Sequence, residues 1–210
     1  MKSLVFITPK LSLSGKVAVV ASSAKLKEWN CGGEIDSYEE VIRFNRAPLE
    51  GYEKWVGSKT TLRVVNNHVF ANKELDSKVW TNQPKDFVRN LRDTRIVYFG
   101  PDYSPWNNKE KNTHKSCKLF LFNYRRQHEM KAYLDFREPK NLSVGLGIIA
   151  VLLMSEIKPS LYGFDVEQSD SYARSHYWED RPPQGDFHSV SSEAGCILKL
   201  AEQGKVDLFL

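Results

Sequence analysis

Cysteine is scarce in this 210-residue chain: Cys31, Cys117 and Cys196 make an odd number at wide spacing. No CxxC pair exists, which excludes the usual zinc ribbon and the disulfide framework of a small secreted module, so the three are read as free, structural thiols. Long hydrophobic runs are missing too. The longest candidate, Leu146–Met154, falls well short of the roughly 18 or more residues of a membrane-spanning helix. At the amino terminus, Leu4–Ile7 is interrupted by Thr8, Pro9 and Lys10 before reaching the roughly 7–15 apolar residues of a secretory signal. The chain is therefore expected to be soluble and cytoplasmic. An excess of one charge is also lacking: 30 Lys+Arg stand against 26 Asp+Glu. The basic residues are scattered, which gives a mild preference for anionic ligands and not the basic face of a nucleic-acid-binding protein.

What is present is the material of a globular domain. A hydrophobic content of 41% with 27% charged residues can bury a core and is neither disordered nor fibrous. Apolar runs rich in Val, Ile and Phe recur at Val17–Ala21, Val41–Asn45, Thr61–Val65, Arg95–Gly100, Lys118–Asn123, Ser160–Phe164 and Val206–Leu210, and they read as strands. Helical patterns fall at Pro84–Arg92, Gln127–Phe136, Val144–Glu156 and Val190–Gln203. This alternation predicts a single α/β domain over residues 1–210, with a mostly parallel central sheet covered by helices. Two long loops remain, Pro101–Ser116 and Val166–Phe187. The second carries Tyr172, His176, Tyr177 and Trp178, aromatic residues that need a surface to pack on.

The first strand runs straight into Ser22-Ser23-Ala24-Lys25. Small residues at the carboxyl end of a parallel strand let backbone N–H groups and hydroxyls approach a phosphate, although a plain serine turn reads the same way. Then come Glu34-Ile35-Asp36, Val41-Ile42-Arg43-Phe44-Asn45-Arg46-Ala47-Pro48 and Val56-Gly57-Ser58-Lys59-Thr60-Thr61-Leu62-Arg63. Asn45 ends a strand before a proline turn, where its amide can cap the turn or meet a ligand. Later, Ser143-Val144-Gly145 opens the apolar segment Leu146–Glu156 and leads to Leu161-Tyr162-Gly163-Phe164-Asp165. Ser143 is a good N-cap and Gly145 permits close backbone approach, so N–H groups at that helix start can face an anion. The chain closes with His176-Tyr177-Trp178-Glu179 and with His188 five residues before Glu193.

Taken in order, these segments resemble the four sialylmotifs of the animal-type sialyltransferases. The resemblance implies a Rossmann-like α/β fold of the sialyltransferase (GT-A-variant) kind and an enzyme that uses a CMP-activated sugar. Matched residue by residue, it implies that Ser22, Ser23, Asn45, Ser143, Val144, Gly145, Asp165 and Tyr177 bind the donor. His188 is implied as the catalytic base, and His176 as a ligand of the donor phosphate that helps the leaving group. A histidine at a helix entrance feels the positive end of the dipole, which favours the neutral imidazole a base requires. The expected reaction is inverting transfer of sialic acid from CMP-sialic acid to a glycan or glycolipid hydroxyl. No metal or other cofactor is expected, because CMP leaves as a monophosphate and no D-x-D motif is present.

The disulfide that joins the first two motifs in secretory-pathway members cannot form, since the matching positions are Val17 and Glu156. This fits a cytosolic microbial or viral member that works in oligosaccharide or protein glycosylation. The turn Ser22-Ser23-Ala24-Lys25 lacks the asparagine common in the family, which leaves room for another CMP-sugar such as CMP-Kdo. A CMP-binding protein without transferase activity is the reading of a different class, and retention of His176 and His188 argues against it. Nucleic acid is not expected as a partner, because the long loop and the residue before it carry Asp165, Glu167, Asp170, Glu179, Asp180 and Asp186. Peripheral association with an anionic membrane is compatible with the mild positive charge.

Overall fold

The computed structural model describes residues 11–66, 95–100, 119–123, 126–167, 175–179 and 189–209. In chain order its strands are β1 (Val17–Val20), β2 (Glu40–Phe44), β3 (Leu62–Val65), β4 (Arg95–Gly100), β5 (Leu119–Asn123), β6 (Pro159–Tyr162) and β7 (Asp207–Phe209). They form one seven-stranded sheet in the order β5-β4-β3-β2-β1-β6-β7, and every pairing is parallel. All seven apolar runs of the sequence are strands here.

The helices are α1 (Gly32–Asp36), α2 (Glu53–Val56), α3 (Gln127–Leu134), α4 (Val144–Met154) and α5 (Val190–Glu202), with a 3-10 turn at Ala24–Glu28. The last three match the periodic segments, and each stops a residue or two earlier than the pattern did. Asp135, at φ 52, adopts the left-handed conformation that terminates α3. α1, α2 and the 3-10 turn are absent from the sequence reading because four or five residues are too few to show a 3.6 period. The predicted helix Pro84–Arg92 and loop Pro101–Ser116 lie outside the described residues.

Adjacent residues of β1 point to opposite faces, and both faces are covered. Val17 and Val19 join the layer of α3, α4 and α5, while Ala18 and Val20 join Leu26, Ile35, Val56, Tyr162 and Tyr177. α4 is apolar all round because it is buried all round: every residue from Leu146 to Leu153 is buried. On the other face α1 and α2 touch backbone to backbone, since a Cβ at Gly32 would lie 2.0 Å from the Glu53 carbonyl oxygen.

Several charged residues of the first motif are structural. Glu34 accepts from the Tyr162 hydroxyl at 2.6 Å, which ties α1 to β6. Arg43 is buried and donates to the carbonyls of Val56 at 2.6 Å and Lys59 at 2.9 Å. Arg63 is buried and donates to the Ala47 carbonyl at 3.1 Å. Burial lowers both guanidinium groups to about 10, so they stay charged at neutral pH and hold the loops after β2 and α2.

Asp36 caps the turn before β3, accepting from Ser58 N–H at 2.8 Å, Lys59 N–H at 2.9 Å and the Ser58 hydroxyl at 2.8 Å. Burial pulls its carboxyl upward, but those N–H and hydroxyl donors more than offset this and hold it below the usual aspartate range. Replacing Asp36 by Asn is expected to cost about 1–2 kcal/mol at neutral pH, the modest end for a charged hydrogen bond because the side chain is only partly buried. A depressed native pKa contributes stability that is complete above the unfolded value of about 3.9 and is lost as pH falls through the native value. Denaturation midpoints of wild type and Asp36→Asn should therefore converge below about pH 4. A gap that stays constant into the acid range would show that the charge contributes nothing.

Candidate functional site

The chain builds the sheet outward from β1 to β5 and then returns to place β6 on the other side of β1. At such a switch point the connections leave in opposite directions and open a crevice beyond the carboxyl ends of the strands. Ser22 and Ser23 follow β1, and Gly163, Phe164 and Asp165 follow β6. Backbone bonds persist past the strand ends, from Ala21 N–H to the Tyr162 carbonyl at 2.8 Å and from Ser23 N–H to the Gly163 carbonyl at 3.1 Å. The Ser23 hydroxyl caps the 3-10 turn by accepting from Lys25 N–H at 3.3 Å.

Ser175–Glu179, within the second long loop of the sequence, returns to this turn. Ala24 N–H donates to the Ser175 carbonyl and Tyr177 N–H to the Ser22 carbonyl, both at 2.9 Å, so Ser23 and His176 face each other as an antiparallel bridge. The His176 ring stacks on Trp178 with centroids 4.4 Å apart. Its Nδ1 lies 2.8 Å from Glu179 Oε2. A carboxylate at that distance assigns the Nδ1 proton to the pair and leaves Nε2 as the nitrogen for a ligand. Tyr177 is buried against Tyr52 at 5.1 Å, and its hydroxyl donates to the Pro48 carbonyl. Burial pushes that phenol above its usual range. It anchors the returning loop.

Across the crevice stands the start of α4. Ser143 caps it, its Oγ accepting from Leu146 N–H at 3.1 Å. The backbone N–H groups of Val144 and Gly145 have no partner among the described residues, which leaves two donors at the positive end of a buried helix. Phe164 covers Gly145 so closely that a Cβ there would come 3.2 Å from the ring. The same ring meets Phe44 edge to face at 6.4 Å, which joins the ends of β2 and β6 to the α4 start. Asn45 follows Phe44 in the left-handed conformation at φ 43, where asparagine is better tolerated than most residues. Its Oδ1 accepts from Asn66 N–H at 3.0 Å, so Nδ2 is the group that can reach a ligand.

The crevice therefore gathers Ser22, Ser23, Asn45, Ser143, Val144, Gly145, Asp165, His176 and Tyr177. His188 lies outside the described residues. α5 begins at Val190 with Ser189 as its cap, so in the sequence His188 stands one residue before the cap and not in the first turn. Glu193, the partner in its motif, is buried and accepts from Ser143 N–H at 2.7 Å, which fastens α5 to the start of α4. On the β7 side, a mostly apolar cavity of about 350 Å³ has Leu26, Trp29, Tyr162, Phe164 and Phe209 in its lining, together with Ser23, Gly163 and the charged Lys25, Glu34 and Glu167. Neither Asn45 nor His176 lines it.

Comparison with known families matches residues 14–205 to a single model, that of glycosyltransferase family 29 (sialyltransferase). The chain belongs to this sialyltransferase family. It is 28% identical over 208 residues to CMP-N-acetylneuraminate-beta-galactosamide-alpha-2,3-sialyltransferase 1 of Sus scrofa, covering 92% of this chain and 57% of that protein. It is 25% identical over 204 residues to beta-galactoside alpha-2,6-sialyltransferase 2 of Takifugu rubripes, covering 87% of this chain and 37% of the relative. The chain thus spans less than two thirds of the length of those relatives. The crystal structure of a mammalian sialyltransferase shares its fold with a TM-score of 0.65 at 24% identity, over 93% of this chain and 68% of that one. The alpha-2,3-sialyltransferase Cst-I of Campylobacter jejuni gives a TM-score of 0.56 at 18% identity, over 96% and 77% of the two chains.

Reading the motifs as donor contacts alone missed Glu179 as the partner of His176 and the bond from Glu193 to Ser143. A carboxylate three residues from a histidine is the available signal for the first; nothing local signals the second. At the crevice floor, Gly163 has φ 67, and a Cβ there would lie 2.5 Å from Leu26 Cδ1. Left-handed strain and overlap together are expected to cost Gly163→Ala about 2–4 kcal/mol. At Gly145, where Phe164 need move only a few tenths of an ångström, Ala should cost about 1 kcal/mol. Thermal denaturation of the two variants checks this order, and equal losses would remove Gly163 as a backbone constraint.

Proposed function

We propose that the protein is an inverting, metal-independent glycosyltransferase that moves sialic acid from CMP-sialic acid to a hydroxyl of a glycan or glycolipid acceptor. The observation that carries the reading is the convergence, at one switch point, of the residues expected to meet a nucleotide monophosphate. Ser22-Ser23 and His176 are bridged on one side, Asn45 lies at the end of β2, and two N–H groups without a partner among the described residues open α4. N–H donors at a helix start suit a phosphate, and the Asn45 amide suits the nucleoside.

In this mechanism His188 takes the proton from the acceptor hydroxyl as it attacks the anomeric carbon and the bond to the CMP oxygen breaks. Charge then grows on the departing phosphate. His176 meets it through Nε2, while Glu179 holds Nδ1 and stabilises the imidazolium as a proton moves toward the leaving group. The α4 N–H groups add fixed dipoles at the same place. The stacked Trp178 fixes the ring plane. A cytoplasmic compartment belongs to the same proposal, and the free thiols of Cys31 and Cys196 are compatible with it.

The test is CMP release and product mass with CMP-sialic acid and galactoside-terminated acceptors in the presence of chelator. Wild type should form sialylated product, and His188→Ala should lose about 10²–10⁴-fold in kcat, the usual range for a general base, while still binding CMP. Glu179→Gln should lose about tenfold, the equivalent of about 1.4 kcal/mol in the barrier. CMP binding without turnover would point to another CMP-sugar, CMP-Kdo first, or to a non-catalytic binder. No CMP binding would sink the reading, and dependence on added metal would sink metal independence.

A further inference from the structure

Glu138 belongs to none of the motifs that carry the family resemblance, yet its carboxylate reaches the start of α5. One carboxylate oxygen, Oε2, accepts from the Ser189 hydroxyl at 3.2 Å, and the other, Oε1, accepts from the Ser192 hydroxyl at 2.8 Å. These are the cap residue of α5 and a residue of its first turn. A negative charge placed there also favours the positive end of the α5 dipole. Glu138 is itself held from the other side. Lys131 of α3 donates through Nζ to the carbonyls of Glu138 at 2.7 Å and Lys140 at 2.5 Å. Farther along, Gln127 of α3 accepts from Leu142 N–H and Glu193 of α5 accepts from Ser143 N–H, both at 2.7 Å. The segment from Glu138 to Ser143 thus connects α3, the cap of α4 and the cap of α5 through side chains.

We propose that Glu138 is a positioning residue for the transfer reaction: by holding the Ser189 and Ser192 hydroxyls it fixes the start of α5, next in the chain to His188, relative to the start of α4. The inference rests on the transferase reading with His188 as base. Glu138 touches no reacting atom in this scheme. Its effect passes through Ser189, the neighbour of His188 in the chain. Glu193 supplies a second fastening, so loss of Glu138 loosens the start of α5 without releasing the helix. A misplaced base costs rate and leaves ground-state binding of the donor intact.

The experiment uses the full chain and measures kcat, the donor KM and the CMP Kd for wild type, Glu138→Gln, Ser192→Ala, Ser192→Thr, His188→Ala and the double variant Glu138→Gln/His188→Ala. Amide hydrogen exchange is followed at Glu193–Ile197. Glu138→Gln should lower kcat about tenfold with donor KM and CMP Kd within about twofold of wild type. Ser192→Ala should lower kcat, and Ser192→Thr, which keeps the hydroxyl, should restore it. The double variant should be no slower than His188→Ala, since two residues acting through one step are not additive. Exchange in the first turn of α5 should be faster in Glu138→Gln. Parallel weakening of CMP binding, or a double variant about tenfold slower than His188→Ala, would overturn the positioning role. If wild type transfers nothing, the transferase reading falls by itself. Exchange unchanged by Glu138→Gln would overturn the fastening whatever the activity.

Discussion

The arrangement of this site depends on one backbone contact, the antiparallel bridge between Ser23 and His176. Parallel strands place their carboxyl ends along one edge, but an edge alone has no wall. The bonds from Ala24 to Ser175 and from Tyr177 to Ser22 bring the aromatic loop onto the turn after β1. Tyr177 then fixes the loop to the far side of the first motif, through Pro48 and Tyr52. Without that bridge His176 would have no defined distance from Ser22 and Ser23, and Glu179 would orient a ring aimed at nothing. The sheet supplies the edge and the bridge turns it into a crevice.

Much of this architecture was legible in the sequence. Strands buried on both faces are written as unbroken aliphatic runs, so Val17–Val20 and Leu62–Val65 announce themselves, as does the wholly apolar α4. The order of the strands could not be read, because each run fits any interior place in a parallel sheet. The bridge between Ser23 and His176 was hidden for another reason: it is made by backbone atoms and depends on register, not on residue type. Motif order implies a role at the donor for both histidines. It did not separate residues that touch a ligand from those that hold the scaffold.

That separation is the main thing the geometry adds. Arg43, Arg63, Asp36 and Glu34 belong to the same motif as Ser22, Ser23 and Asn45, yet they hold carbonyls, turn N–H groups and the Tyr162 hydroxyl. Two arginines held at about 10 by burial serve as fixed cationic pins, able to hold loop carbonyls because they cannot lose their charge at neutral pH. Glu193 is the mirror case, a carboxylate in a catalytic-looking motif that accepts from the backbone of Ser143. A motif of this kind records both chemistry and the framework that locates it, and only hydrogen-bond partners tell the two apart.

The framework also explains how the fold manages without a cross-link between its first and second motifs. In the chain-entropy account, a bridge from position 17 to 156 would close a loop of about 140 residues and contribute close to 5 kcal/mol. Here Val17 pairs directly with Pro159 in the β1–β6 ladder, and α4 descends beside it with Leu146, Ile148, Ile149, Val151 and Leu152 fully buried. Burial of each such side chain contributes about 1.5–3 kcal/mol, taken as an upper range because a real unfolded chain already hides part of that surface. Five of them amount to about 7.5–15 kcal/mol before that discount and about 4.5 kcal/mol at the least after it, which is the size of the missing bridge or more. The β1–β6 seam that forms the floor of the crevice is therefore held by the packing of α4, the same helix whose first two N–H groups have no partner among the described residues. Core packing and the crevice edge meet in one element, so substitutions along its buried length will disturb the position of its start as well as the core.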